Sequence, residues 1–114
     1  MAQGRSKLVG LDPSFRAWVE WFIREIESFG LPITITSGYR APGTRVQGAV
    51  ARPARTSRHG QGVAVDLGVT GYRARDVPAE VWAEMGAMWK AQGRGFRWGG
   101  DFRGNYDPVH FDWS

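Results

Sequence analysis

Two histidines and two aspartates are the residues of this sequence that could do chemistry together. His59 precedes Asp66 by seven positions in the stretch S-R-H-G-Q-G-V-A-V-D, and His110 follows Asp107 by three positions in D-P-V-H-F-D. Two imidazoles and one carboxylate are a ligand set of catalytic zinc sites, in which a fourth coordination position stays open for water. We therefore interpret His59, Asp66 and His110 as candidate ligands of Zn2+.

A simpler interpretation of the same residues is also open. A single His or Asp on a strand is more often hydrogen-bonded or solvated than bound to a metal. The sequence contains no cysteine, which excludes thiolate ligands, so a metal would depend on imidazole and carboxylate groups. On spacing alone, the metal site and the simpler interpretation have about equal weight.

The segments around these residues have the alternating pattern of strands. Residues 62–67 and 109–113 each place apolar side chains on one face, and Asp66 and His110 fall on the opposite faces. Glycines between His59 and the first of these strands allow the chain to fold back. We expect this turn to bring the His59 imidazole beside Asp66.

Two amphipathic helices are predicted to cover the sheet. The first begins at Pro13 and ends before Gly30; the second begins within residues 76–78 and ends before Gly93. Further strands are predicted over residues 33–36 and 96–98. The expected fold class is α+β, a small and mainly antiparallel sheet with both helices on one face and the zinc site on the other.

Helical spacing also predicts which side chains of the two helices are apolar and buried. In the first helix they are Phe15, Trp18, Val19, Phe22, Ile23, Ile26 and Phe29. In the second helix they are Val81, Trp82, Met85, Met88 and Trp89.

Length and composition indicate one domain over residues 1–114, with residues 1–10 expected as a flexible arm. Of the 114 residues 42% are hydrophobic, which suffices for one core. The sequence has neither an apolar run that could span a membrane nor the apolar region of a signal peptide. We expect a monomer that is made in the cytoplasm and released by other means if its substrate lies outside.

The net charge of +4 favours anionic partners such as nucleic acid, anionic lipid or cell-wall polymers. Residues 41–58 contain four arginines and no acidic residue, in a loop-like composition. No aromatic residues alternate with these arginines as a base-stacking surface requires, so we do not expect nucleic-acid binding.

Three motifs together resemble the VanY-type D-alanyl-D-alanine carboxypeptidase and endolysin family of zinc peptidases. Residues 57–66 match S-x-H-x-x-G-x-A-x-D, and W-G-G-D-F followed by D-P-V-H-F-D is similar to the family's C-terminal motif. T-S-G-Y-R, which ends at Arg40, resembles its upstream motif. The motifs occur in the family's order and extend over residues 36–112.

The resemblance implies a role for each matching residue. His59, Asp66 and His110 would bind zinc, Asp107 would be the general base, and Arg40 would stabilise the substrate carbonyl or the developing oxyanion. The expected substrate-binding residues are Ser57, Tyr39, Trp98 and Asp101. The sequence departs from the family between Arg40 and Ser57, where an arginine-rich segment replaces the Gln-x-x-Leu helix of many endolysins.

The implied function is hydrolysis of a peptide bond in the stem peptide of bacterial peptidoglycan by a phage-type lytic enzyme. An L-Ala–D-Glu endopeptidase and a D-Ala–D-Ala carboxypeptidase are not distinguished by these motifs. Two alternatives from other classes remain. One is a non-catalytic zinc-binding module that binds the cell wall or a protein partner, and the other is a basic nucleic-acid binder with a structural metal.

Overall fold

The structure is a computed structural model that describes residues 2–40 and 58–114. The predictions made for Ser57 and for the arginine-rich residues 41–57 therefore lie outside the described residues.

The described residues form one antiparallel sheet of four strands. The strands are β1 (Ile33–Ser37), β2 (Ala64–Val69), β3 (Phe96–Trp98) and β4 (His110–Trp113). Their order across the sheet is β1-β2-β4-β3, and each neighbouring pair is antiparallel. All four predicted strands are confirmed, with ends that differ from the prediction by at most two residues.

Both predicted helices are also present. Helix α1 spans Pro13–Ser28, and its first turn is capped by the Asp12 carboxylate, which accepts a hydrogen bond of 3.0 Å from the Phe15 backbone N–H. Helix α2 spans Ala79–Lys90. Neither helix, within residues 2–40 and 58–114, has the length and apolar character needed to cross a membrane.

The two helices pack on the same face of the sheet, as predicted. The Phe22 ring of α1 has its centroid 5.0 Å from the Phe111 ring of β4 and 5.0 Å from the Trp89 ring of α2. Phe29, however, was expected in this interface and is 73% exposed, because it follows the last helical residue. The aromatic core leaves the opposite face of β2 and β4 free for polar side chains.

Residues 2–10 were expected to form a flexible arm, but in the structure they contact β1. The Gln3 backbone N–H donates to the Ile33 carbonyl at 3.0 Å, and the Gln3 carbonyl accepts from the Ile35 N–H at 2.8 Å. A 3-10 turn over Arg5–Leu8 then buries the Leu8 side chain completely. A parallel bridge between Gln3 and Thr34 and the buried Leu8 side chain hold this segment against the outer edge of β1. Such isolated contacts leave no periodic pattern in the sequence, so the sequence did not predict them.

Candidate active site

Strand register brings Asp66 and His110 together. They are Cα partners in the antiparallel pair formed by β2 and β4, so their side chains leave the sheet on the same face. This face lies opposite the aromatic core. The His110 Nδ1 atom is 3.2 Å from Asp66 Oδ1.

His59 reaches the same position from the turn that precedes β2. The His59 carbonyl accepts hydrogen bonds from the Gly62 N–H at 3.2 Å and from the Arg40 N–H at 3.1 Å. Gly62 has a φ of 74°, and a Cβ atom there would lie 3.1 Å from the Gly10 carbonyl oxygen. The positive φ therefore favours glycine at position 62, and a Cβ atom there would also crowd the Gly10 carbonyl.

The His59 ring has one nitrogen with a partner and one without. Its Nδ1 donates to the Gly38 carbonyl at 2.8 Å, so in the neutral ring the lone pair is on Nε2. Nε2 is buried and 3.3 Å from Asp66 Oδ1, yet no described residue forms an aligned hydrogen bond with it. A buried imidazole lone pair that faces a carboxylate is suited to a cation placed between the two.

One ligand atom from each of His59, Asp66 and His110 lies within 4.8 Å of the other two. Two imidazole nitrogens and one carboxylate oxygen match the donors that zinc prefers in catalytic sites. The residues present therefore fit Zn2+, the cofactor that was predicted.

The charges of this group are strongly interdependent. Burial alone would raise the pKa of Asp66, but the hydrogen bond from His110 and the His59 imidazole beside the carboxylate lower it well below its usual range. Burial likewise opposes protonation of His110, but hydrogen bonds to Asp112 and Asp66 raise the pKa of its imidazole to about 9. In the metal-free protein, a proton on His110 thus supplies positive charge beside the Asp66 carboxylate.

Asp107 is a half-buried carboxyl at the edge of this group. Its backbone N–H donates to the Gly99 carbonyl at 3.0 Å, and its carbonyl accepts from the His110 N–H at 3.1 Å. Burial and the negative charge of Asp66 raise the pKa of Asp107 above its usual value. A carboxylate made more basic in this way is suited to accept a proton.

Arg40 follows β1 on the side of the His59 turn. Its positive charge lowers the pKa of Asp107, which opposes part of the effect of burial and of Asp66. The Arg40 Nε is buried and has no hydrogen-bond partner among the described residues. A guanidinium with a donor to spare can bind a carbonyl or carboxylate oxygen.

Trp98 was expected to bind substrate; the structure shows a buried side chain with structural contacts, and its predicted role stays a prediction. Its side chain is buried against Gly86 of α2, and its indole N–H donates to the Pro108 carbonyl at 2.8 Å. Trp98 therefore supports the segment that carries Asp107 and His110.

Asp101 and Tyr39, the other two predicted substrate-binding residues, lie at the surface. The Asp101 carboxylate accepts a hydrogen bond of 2.7 Å from Lys90 at the end of α2. Tyr39 packs beside Gly10 and remains 40% exposed. The predicted roles of Asp101 and Tyr39 in substrate binding stay predictions.

Asp112 and Arg97, which have no role predicted from the sequence, form an ion pair beside His110. The His110 Nε2–H donates to Asp112 Oδ2 at 2.7 Å, and Arg97 Nε donates to Asp112 Oδ1 at 2.8 Å. The sequence did contain a signal for the contact between Asp112 and His110, because residues two positions apart on a strand lie on the same face. The arginine could not be assigned without the register of β3 on β4.

A family model described as D-alanyl-D-alanine carboxypeptidase matches residues 51–113, which is more than half of the chain. This range includes the three proposed ligands and Asp107. Arg40 lies before it.

Three solved structures share the fold at 19–23% sequence identity. The L-Ala D-Glu endopeptidase ChiX of Serratia marcescens is 20% identical with a TM-score of 0.68, covering 100% of this chain and 90% of ChiX. The vancomycin resistance D,D-pentapeptidase VanY, solved in complex with Zn(II), is 19% identical with a TM-score of 0.63 and covers 90% and 72% of the two chains. The LD-carboxypeptidase LdcB is 23% identical with a TM-score of 0.61 and covers 100% and 73%.

Proposed function

This chain belongs to the D-alanyl-D-alanine carboxypeptidase family of zinc-dependent peptidoglycan hydrolases, and on that premise we propose that it cleaves one peptide bond in the stem peptide of bacterial peptidoglycan. The bond is either L-Ala–D-Glu, cut by an endopeptidase, or D-Ala–D-Ala, cut by a carboxypeptidase. We further propose a phage-type lytic role, in which the chain acts on the cell wall after release.

One observation carries the proposal. The ligand atoms of His59, Asp66 and His110 converge within 4.8 Å, and the His59 Nε2 among them is buried without a hydrogen-bond partner in the described residues. A stable fold does not require two buried imidazoles and a carboxylate at one point, since burying ionisable groups carries a cost. A site for a cation accounts for the arrangement.

The metal and the side chains beside it have different proposed tasks. Zinc, when bound by these residues, lowers the pKa of water towards ~7 and polarises a carbonyl. Asp107 would accept a proton from the attacking water and then donate it to the amine of the leaving fragment. Hydrolysis is complete when hydroxide has added to the carbonyl carbon, the C–N bond has broken and the amine has gained that proton.

Arg40 would hold the substrate oxygen during this step. Its guanidinium has a buried Nε that no described residue engages, and its charge acts on Asp107. A donor placed where negative charge develops typically contributes ~3–4 kcal/mol to lowering the barrier. Stem peptides also contain free carboxylates, which a guanidinium binds well.

Digestion of purified peptidoglycan by the zinc-loaded protein tests the proposal. Mass spectrometry of the fragments should show either new N-terminal D-Glu or loss of terminal D-Ala, and the product identifies the bond. The isosteric variant Asp107→Asn should retain zinc and fold but lose hydrolysis by ~100- to 10,000-fold. Asp76→Asn is the matched control, because Asp76 is an exposed residue of the 3-10 turn Ala74–Asp76, outside the proposed ligand set.

Two results would contradict the proposal in different ways. Stoichiometric zinc with no cleavage of peptidoglycan would favour the non-catalytic module, which binds wall or partner without hydrolysis. Turnover of Asp107→Asn equal to that of the control would show that another group is the base.

A further inference from the structure

The Asp112 carboxylate is fully buried, and both of its oxygens accept hydrogen bonds. Oδ2 accepts from His110 Nε2 at 2.7 Å and from Arg97 Nη2 at 3.0 Å, while Oδ1 accepts from Arg97 Nε at 2.8 Å. The Asp112 backbone is held as well, because its carbonyl accepts the indole N–H of Trp89 at 2.9 Å. Both the position and the rotation of this carboxylate are thus fixed by neighbours.

Strand register explains why the three residues meet. Asp112 lies two positions after His110 on β4, so both side chains are on the face of the sheet that carries Asp66. The Cα partner of Asp112 on β3 is Arg97, and its partner on β2 is Ala64. A basic residue thus lies on one side of Asp112 and a small one on the other.

The carboxylate determines which nitrogen of His110 faces the proposed ligands. Because Nε2 is engaged by Asp112, Nδ1 is the nitrogen that faces Asp66, at 3.2 Å. Phe102 packs against both His110 and Arg97. Its ring centroid is 5.5 Å from that of His110 and 5.1 Å from the guanidinium carbon of Arg97. Rotation of the imidazole would break the Asp112 hydrogen bond and disturb this packing.

We propose that Asp112, anchored by Arg97, is a positioning residue that holds the His110 imidazole in the orientation required for metal binding. Neither Asp112 nor Arg97 contacts substrate or ion in this assignment. The inference rests on the proposed ligands His59, Asp66 and His110. A carboxylate that accepts from the second nitrogen of a metal-binding histidine orients the ring and strengthens it as a ligand.

The zinc dissociation constant of Asp112→Asn, measured by competition with a chromophoric chelator, is the first test. The amide oxygen can still accept a hydrogen bond, but the negative charge and the bidentate pair with Arg97 are lost. We expect zinc binding to weaken by ~10- to 100-fold. Asp76→Asn is again the matched control and should bind zinc as the unaltered protein does.

The visible absorption of the Co2+-loaded protein provides a readout that is independent of catalysis. A displaced imidazole changes the coordination geometry, so Asp112→Asn should alter the position or intensity of the Co2+ bands. Loss of stability alone would not produce that change in the folded protein. Thermal unfolding of the metal-free variants separates the two effects.

Arg97 supplies a second variant that should fold, since its side chain is 44% exposed. Arg97→Gln should weaken zinc binding in the unaltered background, because the carboxylate loses its anchor. It should have little further effect in the Asp112→Asn background, because Arg97 acts on His110 through Asp112. Additive effects of the two substitutions would show that Arg97 acts by another route and would overturn its assignment.

The remaining outcomes are also decisive. Zinc affinity within twofold of the control, with an unchanged Co2+ spectrum for both single variants, would overturn the inference and leave the ion pair a purely structural feature. His59→Ala tests the proposed ligands separately. If it retains zinc, the ligand assignment fails; if it loses zinc while Asp112→Asn does not, only the positioning role fails.

Discussion

His59 Nδ1 donates a hydrogen bond of 2.8 Å to the Gly38 carbonyl, and this contact determines the state of the whole ring. The bond places a proton on Nδ1, so the lone pair of the neutral ring is on Nε2, which is buried and 3.3 Å from Asp66 Oδ1. Gly38 lies directly after β1, and a Cβ atom on it would overlap the Lys7 carbonyl. The N-terminal segment, the end of β1 and the proposed zinc ligand His59 are therefore packed together.

The first prediction concerns the His59 side chain itself. His59→Ala removes one of three proposed ligands, so zinc affinity should fall by more than the ~10- to 100-fold typical of residues outside the ligand set. Metal content after dialysis and chelator competition measure this loss. Retention of stoichiometric zinc in a folded His59→Ala protein would show that the ligand set is wrong.

The second prediction concerns pH and the metal-free protein. The folded-state pKa of His110 is raised to about 9 from an unfolded value of 6.5. The stabilisation is therefore fully present below pH 6.5 and is lost as pH rises through 9. The free energy of unfolding in the presence of a chelator should fall over this range by roughly 3 kcal/mol at most.

Urea unfolding at pH 6.5, 7.5 and 9 measures this decrease, with His110→Gln as the control that should lack it. Zinc binding should correspondingly release about one proton per ion at pH 7, because the ion replaces the proton on Nδ1. Calorimetry in buffers of different ionisation enthalpy counts that proton. Stability that stays level or rises between pH 6.5 and 9 would contradict the assigned protonation of His110.

The third prediction separates structural support from substrate binding at Trp98. Trp98→Phe keeps an aromatic ring over Gly86 but removes the hydrogen bond to the Pro108 carbonyl. Stability should decrease by about 1–3 kcal/mol, because the partly buried carbonyl loses its donor. In steady-state kinetics we expect KM to be unchanged and kcat to fall, since the segment that carries Asp107 is less well held. A rise in KM at constant kcat would restore Trp98 as a substrate-binding residue.

The fourth prediction uses the close packing of α2 against the same tryptophan. A Cβ atom at Gly86 would lie 2.3 Å from Trp98 Cδ2, well inside van der Waals contact distance. Gly86→Ala should lower the free energy of unfolding by ~1–3 kcal/mol through overpacking. Helix propensity alone favours alanine by about 1 kcal/mol, so the sign of the change distinguishes the two effects. A more stable Gly86→Ala protein would mean that the Trp98 ring moves freely.

The sequence by itself determined the elements and the chemistry. Alternation in residues 62–67 and 109–113 predicted both central strands and the faces on which Asp66 and His110 lie, because strand periodicity is a local property. The Asp12–Pro13 start of α1 is local for the same reason. The absence of cysteine and the resemblance of three motifs limited the metal ligands to His and Asp.

Only the tertiary structure decided which distant residues meet. The pairing of Asp66 with His110, and of Asp112 with Arg97, depends on strand register, which results from packing across the whole sheet. The tautomer of His59 depends on the Gly38 carbonyl, 21 residues away along the chain. Trp98 and Leu8 likewise acquired buried positions from non-local contacts, which composition and periodicity do not specify.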